Sequence, residues 1–346
     1  MRTSARRALR MAVSVAILAA LVAFARTVDW SAVAAAARGA DPLLLAGAVT
    51  LNLLSLLLKG VRWWLFLRPM GARSFALAIR ATFAGAALNN ILVAQGGEGA
   101  RVLLVARGAQ ISSAKVLAAL AIERVLDAVT YLILLVAAAW LLPLPRSIAR
   151  WSGAASIALV VVLAALGALA WRSGRRTVRP NVADRARPLG AGRVAPSPLA
   201  PAPRSLLVRI RGYASRFASS AAEVAGPGRL ATALLLSIAA WVLQIATYDF
   251  VARAALLPLP IAGSVAALIA IGVSFLVRAT PGNVGIFQLV YVVTVHSFGV
   301  SPAPAVAVAL LIQAVQVIPT LLAGAVAAPR LLLLRREQPQ AVGAKR

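Results

Sequence analysis

Runs of about twenty apolar residues recur along this chain, at 118–142, 151–171, 230–250 and 303–328. A run of that length crosses ~30 Å of hydrocarbon at ~1.5 Å per helical residue. The chain is 61% hydrophobic and 13% charged, whereas a soluble domain rarely exceeds about half apolar. The expected fold class is an all-α integral membrane protein, a polytopic bundle with eight or more apolar segments.

Two of the apolar regions are interrupted. The first, 75–95, carries Arg80, Asn89 and Asn90 and then meets Gly96-Gly97-Glu98-Gly99, a poor sequence for a continuous helix. The second, 259–277, is broken by Arg278-Ala279-Thr280-Pro281-Gly282-Asn283-Val284-Gly285 and resumes at Ile286. If both are re-entrant hairpins (75–108 and 259–299), six full spans remain, near 8–26, 43–65, 116–142, 151–171, 230–252 and 303–328. The segment 43–142 then reads span, hairpin, span, and 230–328 repeats that order with opposite orientation. Inverted repeats whose broken helices meet at the midplane are a transporter architecture.

The charge pattern favours this count. The net charge is +27, almost all of it from arginine. The arginines lie in loops between spans, which suits cytoplasmic loops on anionic lipid and not nucleic acid. With six spans and a cytoplasmic N-terminus, the basic segments 59–73, 101–115, 172–229 and 330–346 all fall inside. Counting each apolar region as one span would put the twelve arginines of 172–229 outside. The expected domains are a first transmembrane half (1–171), the basic cytoplasmic loop (172–229), a second transmembrane half (230–328) and a basic cytoplasmic tail (329–346), in the cytoplasmic membrane. Within 11–25, a cleaved signal peptide ending at Ala23-Phe24-Ala25 competes with an uncleaved span. The middle of the loop is rich in Pro, Gly and Ala and should be disordered. At about 205–222 an apolar face formed by Leu206, Ile210, Tyr213 and Phe217 is flanked by Arg209 and Arg216, as in a helix on an anionic membrane surface; packing on the protein's own spans is the other reading. Lys59, Arg62, Trp63, Trp64 and Arg68 read as an aromatic and basic boundary cluster closing the span that begins at 43.

The candidate site is the set of charges inside the apolar regions: Glu98, Arg101, Glu123, Arg124, Asp127 and Arg278, three of each sign. Each costs at least a few kcal/mol in a span if left alone. Glu123 and Asp127 share a helix face, and Arg124 can pair with Asp127 at i, i+3. That leaves Glu98 or Glu123 for Arg278. One reading is a neutral ion-pair network that fixes helix packing. The other is a midplane cavity in which arginine takes a phosphate by paired hydrogen bonds. Gly282 and Gly285 permit a turn, and Pro281 suits the first turn of the helix that follows. His296, Gln313 and Gln316 read as structural. One histidine and no cysteine exclude a disulfide and leave no basis for a thiolate or histidine metal site; no cofactor is expected.

The ordered motifs Asn89-Asn90, then Gly97-Glu98-Gly99-Ala100-Arg101, then Glu123-Arg124-Val125-Leu126-Asp127, then Pro281-Gly282-Asn283-Val284-Gly285 resemble the flippase-like transmembrane region of lysylphosphatidylglycerol synthases and its stand-alone relatives. The resemblance covers about residues 8–328. Asn283 departs from it where the pattern has glycine, and Gln288 where the pattern often has an acid. The resemblance implies handling of a polar lipid headgroup, with an anionic phospholipid or a polyprenyl-phosphate-linked lipid as substrate. It implies transport between leaflets and no catalysis. An integral-membrane lipid-phosphate enzyme and a membrane partner of a lipid-modifying enzyme are the alternatives.

Overall fold

The computed structural model describes residues 30–91, 96–143, 226–275 and 283–333, with isolated helical positions between 153 and 164. Outside the described residues lie the first span 8–26, most of 151–171, the loop helix with Arg209 and Arg216, the tip residues Arg278, Pro281 and Gly282, and the tail beyond 333. Among the described residues nine α-helices follow one another and no strand occurs. They are α1 (Trp30–Arg38), α2 (Pro42–Leu67), α3 (Phe75–Ile91), α4 (Gly96–Gly108), α5 (Ser113–Leu141), α6 (Pro227–Ala254), α7 (Ile261–Ser274), α8 (Ile286–His296) and α9 (Pro302–Leu333).

Local chemistry sets several of these ends. Asp41 caps α2, its Oδ1 accepting from Leu43 N at 2.8 Å and Leu44 N at 3.3 Å, and Pro42 stands where a missing N–H costs nothing. The α2 helix stops in a 3₁₀ turn, Arg68–Met70, closed by Gly71 at φ 108°, a left-handed conformation natural to glycine. Ser112 caps α5 through Lys115 N. α1 lies between the first two expected spans; its sequence WSAVAAAAR is mostly alanine, the best helix former.

The order long, short, short, long occurs twice: α2 to α5, then α6 to α9. Three helices, α2, α6 and α9, contain windows long and apolar enough to cross a membrane. α5 has 29 residues, with Lys115, Glu123, Arg124 and Asp127 in its first half. The paired short helices have 17 and 13 residues (α3, α4) and 14 and 11 (α7, α8). At ~1.5 Å per residue none of the four reaches ~30 Å.

α2 and α6 form the spine, and they run antiparallel. Gly47 of α2 lies against Phe250, the Ser55 hydroxyl donates to Ala240 O at 2.8 Å, and Arg62 reaches Ser237. Small residues such as Gly47, Ala48, Ser55 and Ala240 suit close helix packing in lipid. Two cores flank this spine. One gathers the end of α2 around Trp63 and Phe66 with α3, α4 and the first half of α5. The other gathers the C-terminal end of α6 around Tyr248 with α7, α8 and the first half of α9.

The first short pair corrects the reading of its glycines. Gly96–Gly99 is not broken backbone but the first turn of α4. Gly97 is needed for proximity: a Cβ there would strike the Gly85 carbonyl and Asn89 of α3. A Cβ at Gly99 would meet nothing within 4 Å.

Candidate functional site

Helix α2 runs to Leu67, two turns past Lys59, and this carries Lys59, Arg62 and Trp63 into the bundle. Arg62 is 1% exposed and Trp63 is fully buried, so the boundary reading fails for both and survives only for Trp64 and Arg68. α5 crosses the same level with Glu123, Arg124 and Asp127, and the first turns of α4 bring Glu98 and Arg101.

The contacts form one network. Arg62 Nη2 donates to Glu123 Oε1 at 3.0 Å, Arg62 Nη1 donates to Asp127 Oδ1 at 2.7 Å, and the same nitrogen also donates to the Ser237 hydroxyl of α6. Arg101 Nη1 lies 3.2 Å from Glu123 Oε1 and 3.1 Å from Oε2. Arg124 pairs with Glu98 Oε1 at 2.9 Å and with Asp127 Oδ2 at 3.4 Å. The guanidinium carbon of Arg101 sits 3.5 Å from the centroid of the Trp63 ring, a stacked cation–π contact. Glu123 is 2% exposed; two arginines on one carboxylate are what make such burial tolerable, because an unpaired buried charge is strongly unfavourable.

Glu98 and Arg101 stand at i, i+3 in the sequence, a spacing that puts them on one face of a helix. The structure pairs each with α5 instead, Glu98 with Arg124 and Arg101 with Glu123. Both carboxylates that the sequence left for Arg278 already have arginine partners, and Arg278 lies outside the described residues. Arg62, the hub, escaped the sequence reading. Its signal was faint: an arginine one turn after Lys59, which looked like the end of a span.

Glu98, Arg101, Glu123, Arg124 and Asp127 border a cavity of about 170 Å³, walled also by Lys59, Thr82, Gly85, Asn89, Gly97 and Trp241. Asn89 Oδ1 accepts from Gly97 N at 3.0 Å and so ties α3 to the start of α4; Asn90 does not line the cavity. A second cavity, about 730 Å³ and more open, lies at the end of α2 among Trp64, Arg68, Arg73 and Arg229.

The second short pair is chemically different. Asn283 adopts φ 58° and Gly285 φ 89°. Asparagine tolerates the left-handed region better than other non-glycine residues, which accounts for Asn283 where the family pattern has glycine. Gln288 Oε1 accepts from Gly285 N at 2.6 Å, and Gln288 Nε2 donates to Gln313 of α9. His296 Nδ1 lies 3.2 Å from Val300 O at the end of α8. Among the described residues no group of three His, Cys, Asp or Glu side chains could hold a metal ion.

A multi-helix membrane protein with an ionised internal cavity is the class defined by this fold and site. The chain belongs to the lysylphosphatidylglycerol synthase transmembrane-region family, whose model matches residues 11–324. It is 27% identical over 338 residues to a protein of Haloferax volcanii named glycosyltransferase AglD, a match covering 86% of this chain and 50% of that protein. The chain thus spans about half the length of the curated relative it matches.

Proposed function

We propose that this chain moves a polar, phosphate-bearing lipid headgroup between the leaflets of the cytoplasmic membrane without altering it chemically. The observation that carries the reading is the cavity itself, bounded by Glu98, Arg101, Glu123, Arg124 and Asp127 at the start of α4 and in α5. A packing device needs no space among its charges; a headgroup does. The volume of about 170 Å³ falls below the ~300–1,000 Å³ of pockets that enclose a whole drug-sized ligand. It suits a headgroup whose acyl chains stay in lipid. Three observations support re-entrant hairpins in an inverted repeat: the doubled order of helix lengths, the short arms, and the antiparallel run of α2 against α6. In this reading the N-terminus, the loop 172–229 and the C-terminus are cytoplasmic.

The test is movement of a fluorescent phospholipid in proteoliposomes by wild type, Glu98→Gln and Arg101→Ala. Each variant should fold in good yield and move lipid at least tenfold more slowly. Wild-type rates in both variants would reject the site. A second reading, a membrane partner of a lipid-modifying enzyme, draws on the match to a protein named as a glycosyltransferase. No lipid movement by the purified wild type would favour it.

A further inference from the structure

The charges around the cavity do not cancel. Lys59, Arg101 and Arg124 of its wall, together with Arg62, which pairs with two of the wall's carboxylates, stand against Glu98, Glu123 and Asp127, four cations to three acids. Each of the three carboxylates is taken by at least one arginine. Lys59 is the cation left over: among the described residues no carboxylate oxygen comes within 4.0 Å of its ammonium. It faces the Trp241 ring at 4.3 Å from the centroid, and Trp241 is itself held by Tyr131, ring centroids 4.4 Å apart. An aromatic face attracts a cation but carries no net charge, so the surplus remains.

Arg101 adds a second, independent observation. It lines the same cavity, is 6% exposed, and uses Nη1 for Glu123. Its Nε and Nη2 are buried and have no hydrogen-bond partner among the described residues. Buried donors without acceptors are unfavourable, and two donors on one guanidinium edge match two oxygens of an oxyanion.

We infer that Lys59 and the free edge of Arg101 form an anion-binding site in this cavity, and that its ligand is an oxyanion of the phosphodiester class, as in the headgroup of an acidic phospholipid. The inference deepens the transport reading and rests on it only for the movement of the ligand. Lys59 supplies the charge that distinguishes an acidic headgroup from a zwitterionic one, while Arg62 and Arg124 are occupied by carboxylates.

The test is thermal unfolding of the purified full chain in neutral detergent, titrated with short-chain phosphatidylglycerol, with phosphatidylcholine of the same chain length, and with inorganic phosphate. Wild type should bind phosphatidylglycerol at least tenfold more tightly than phosphatidylcholine. Lys59→Met should reduce that preference to about twofold or less, Lys59→Arg should keep it, and Arg68→Gln, at the exposed end of α2, should leave it unchanged. The ligand-free Lys59→Met protein should melt no lower than wild type, since a cation without a counter-ion has been removed. An undiminished preference in Lys59→Met, its loss in Lys59→Arg, or failure of Lys59→Met to fold would overturn the inference. Stabilisation by inorganic phosphate equal to that by phosphatidylglycerol would identify free phosphate as the source of the anion; stabilisation by phosphatidylglycerol alone would identify the lipid. A preserved lipid preference in a protein that moves no lipid in vesicles would count against transport and leave this site standing.

Discussion

The two pairs of short helices occupy corresponding places in their halves and are built from opposite chemistry. The first, α3 and α4, is bordered by Glu98, Arg101, Glu123 and Arg124. Among the described residues, the second, α7 and α8, offers amides: Asn283, Gln288 and, from α9, Gln313. Both pairs satisfy an amide at the start of their second arm with a side-chain carbonyl. In the first it comes across the pair, Asn89 to Gly97; in the second it comes from within the arm, Gln288 to Gly285. The backbone problem is shared and the electrostatics are not. The described amides of the second pair can be packed tightly and left alone, whereas the charges of the first must be embedded in counter-ions. In the transport reading proposed above, the first half is where a charged headgroup would bind.

The comparison breaks most visibly at the hub. Arg62→Met removes one of the two arginine partners of both Glu123 and Asp127, and loss of one member of a buried pair costs ~3–5 kcal/mol. Denaturant unfolding in detergent should show that loss, and Arg62→Lys should recover only part of it because a lysine cannot bridge two carboxylates and Ser237 in one plane. A loss below 1 kcal/mol would mean the network is not holding α2, α5 and α6 together.

Next comes Gly97→Ala. The added carbon meets the Gly85 carbonyl, which cannot rotate away, so the loss should lie at or above the ~1–3 kcal/mol usual for overpacking. Gly99→Ala, with nothing within 4 Å, should be neutral or gain up to ~1 kcal/mol. Equal melting temperatures for the two variants would contradict the contact between α3 and α4.

In the second pair, Gln288→Met leaves Gly285 N–H without its acceptor and takes one partner from Gln313. About 1–2 kcal/mol should be lost, with lipid movement slowed less than by Arg101→Ala. A transport defect as deep as that of Arg101→Ala would make the two pairs functional equals. Smallest of all is Arg253→Ala. Its pair with Asp249 at 2.6 Å spans one helical turn, but Arg253 is 67% exposed, so the change should stay within ~0–1 kcal/mol.

Much of this architecture is legible in the sequence because lipid enforces simple rules. Apolar length marks α2, α6 and α9, and the interruptions at Gly96 and near Pro281 mark the short pairs. The acids of the site are legible for the same reason, since carboxylates are scarce inside apolar runs. The basic side was half hidden. Lys59 and Arg62 sit at the end of a run, where cations ordinarily face water, and only the extra two turns of α2 reveal that they turn inward. Pairing was hidden too. Helical spacing relates Glu98 to Arg101, but the crossing of α4 over α5 is tertiary and gives each a distant partner. The role of Gly97 follows the same logic, because composition announces a weak helix and cannot announce a backbone neighbour eight residues away in α3 and beyond.

Arg62 also shapes how this chain can vary over evolutionary time. One guanidinium serves two carboxylates and a hydroxyl on two other helices. Drift at position 62 alone would take one arginine from two carboxylates at once, leaving Glu123 with Arg101 and Asp127 with Arg124, and drift at 123 alone would strand Arg62 and Arg101 in part. Neutral single steps are therefore scarce here. Sequences descended from a common ancestor should keep 62, 101, 123 and 127 as a block or exchange them together, while the amides at 283, 288 and 313 can change one at a time.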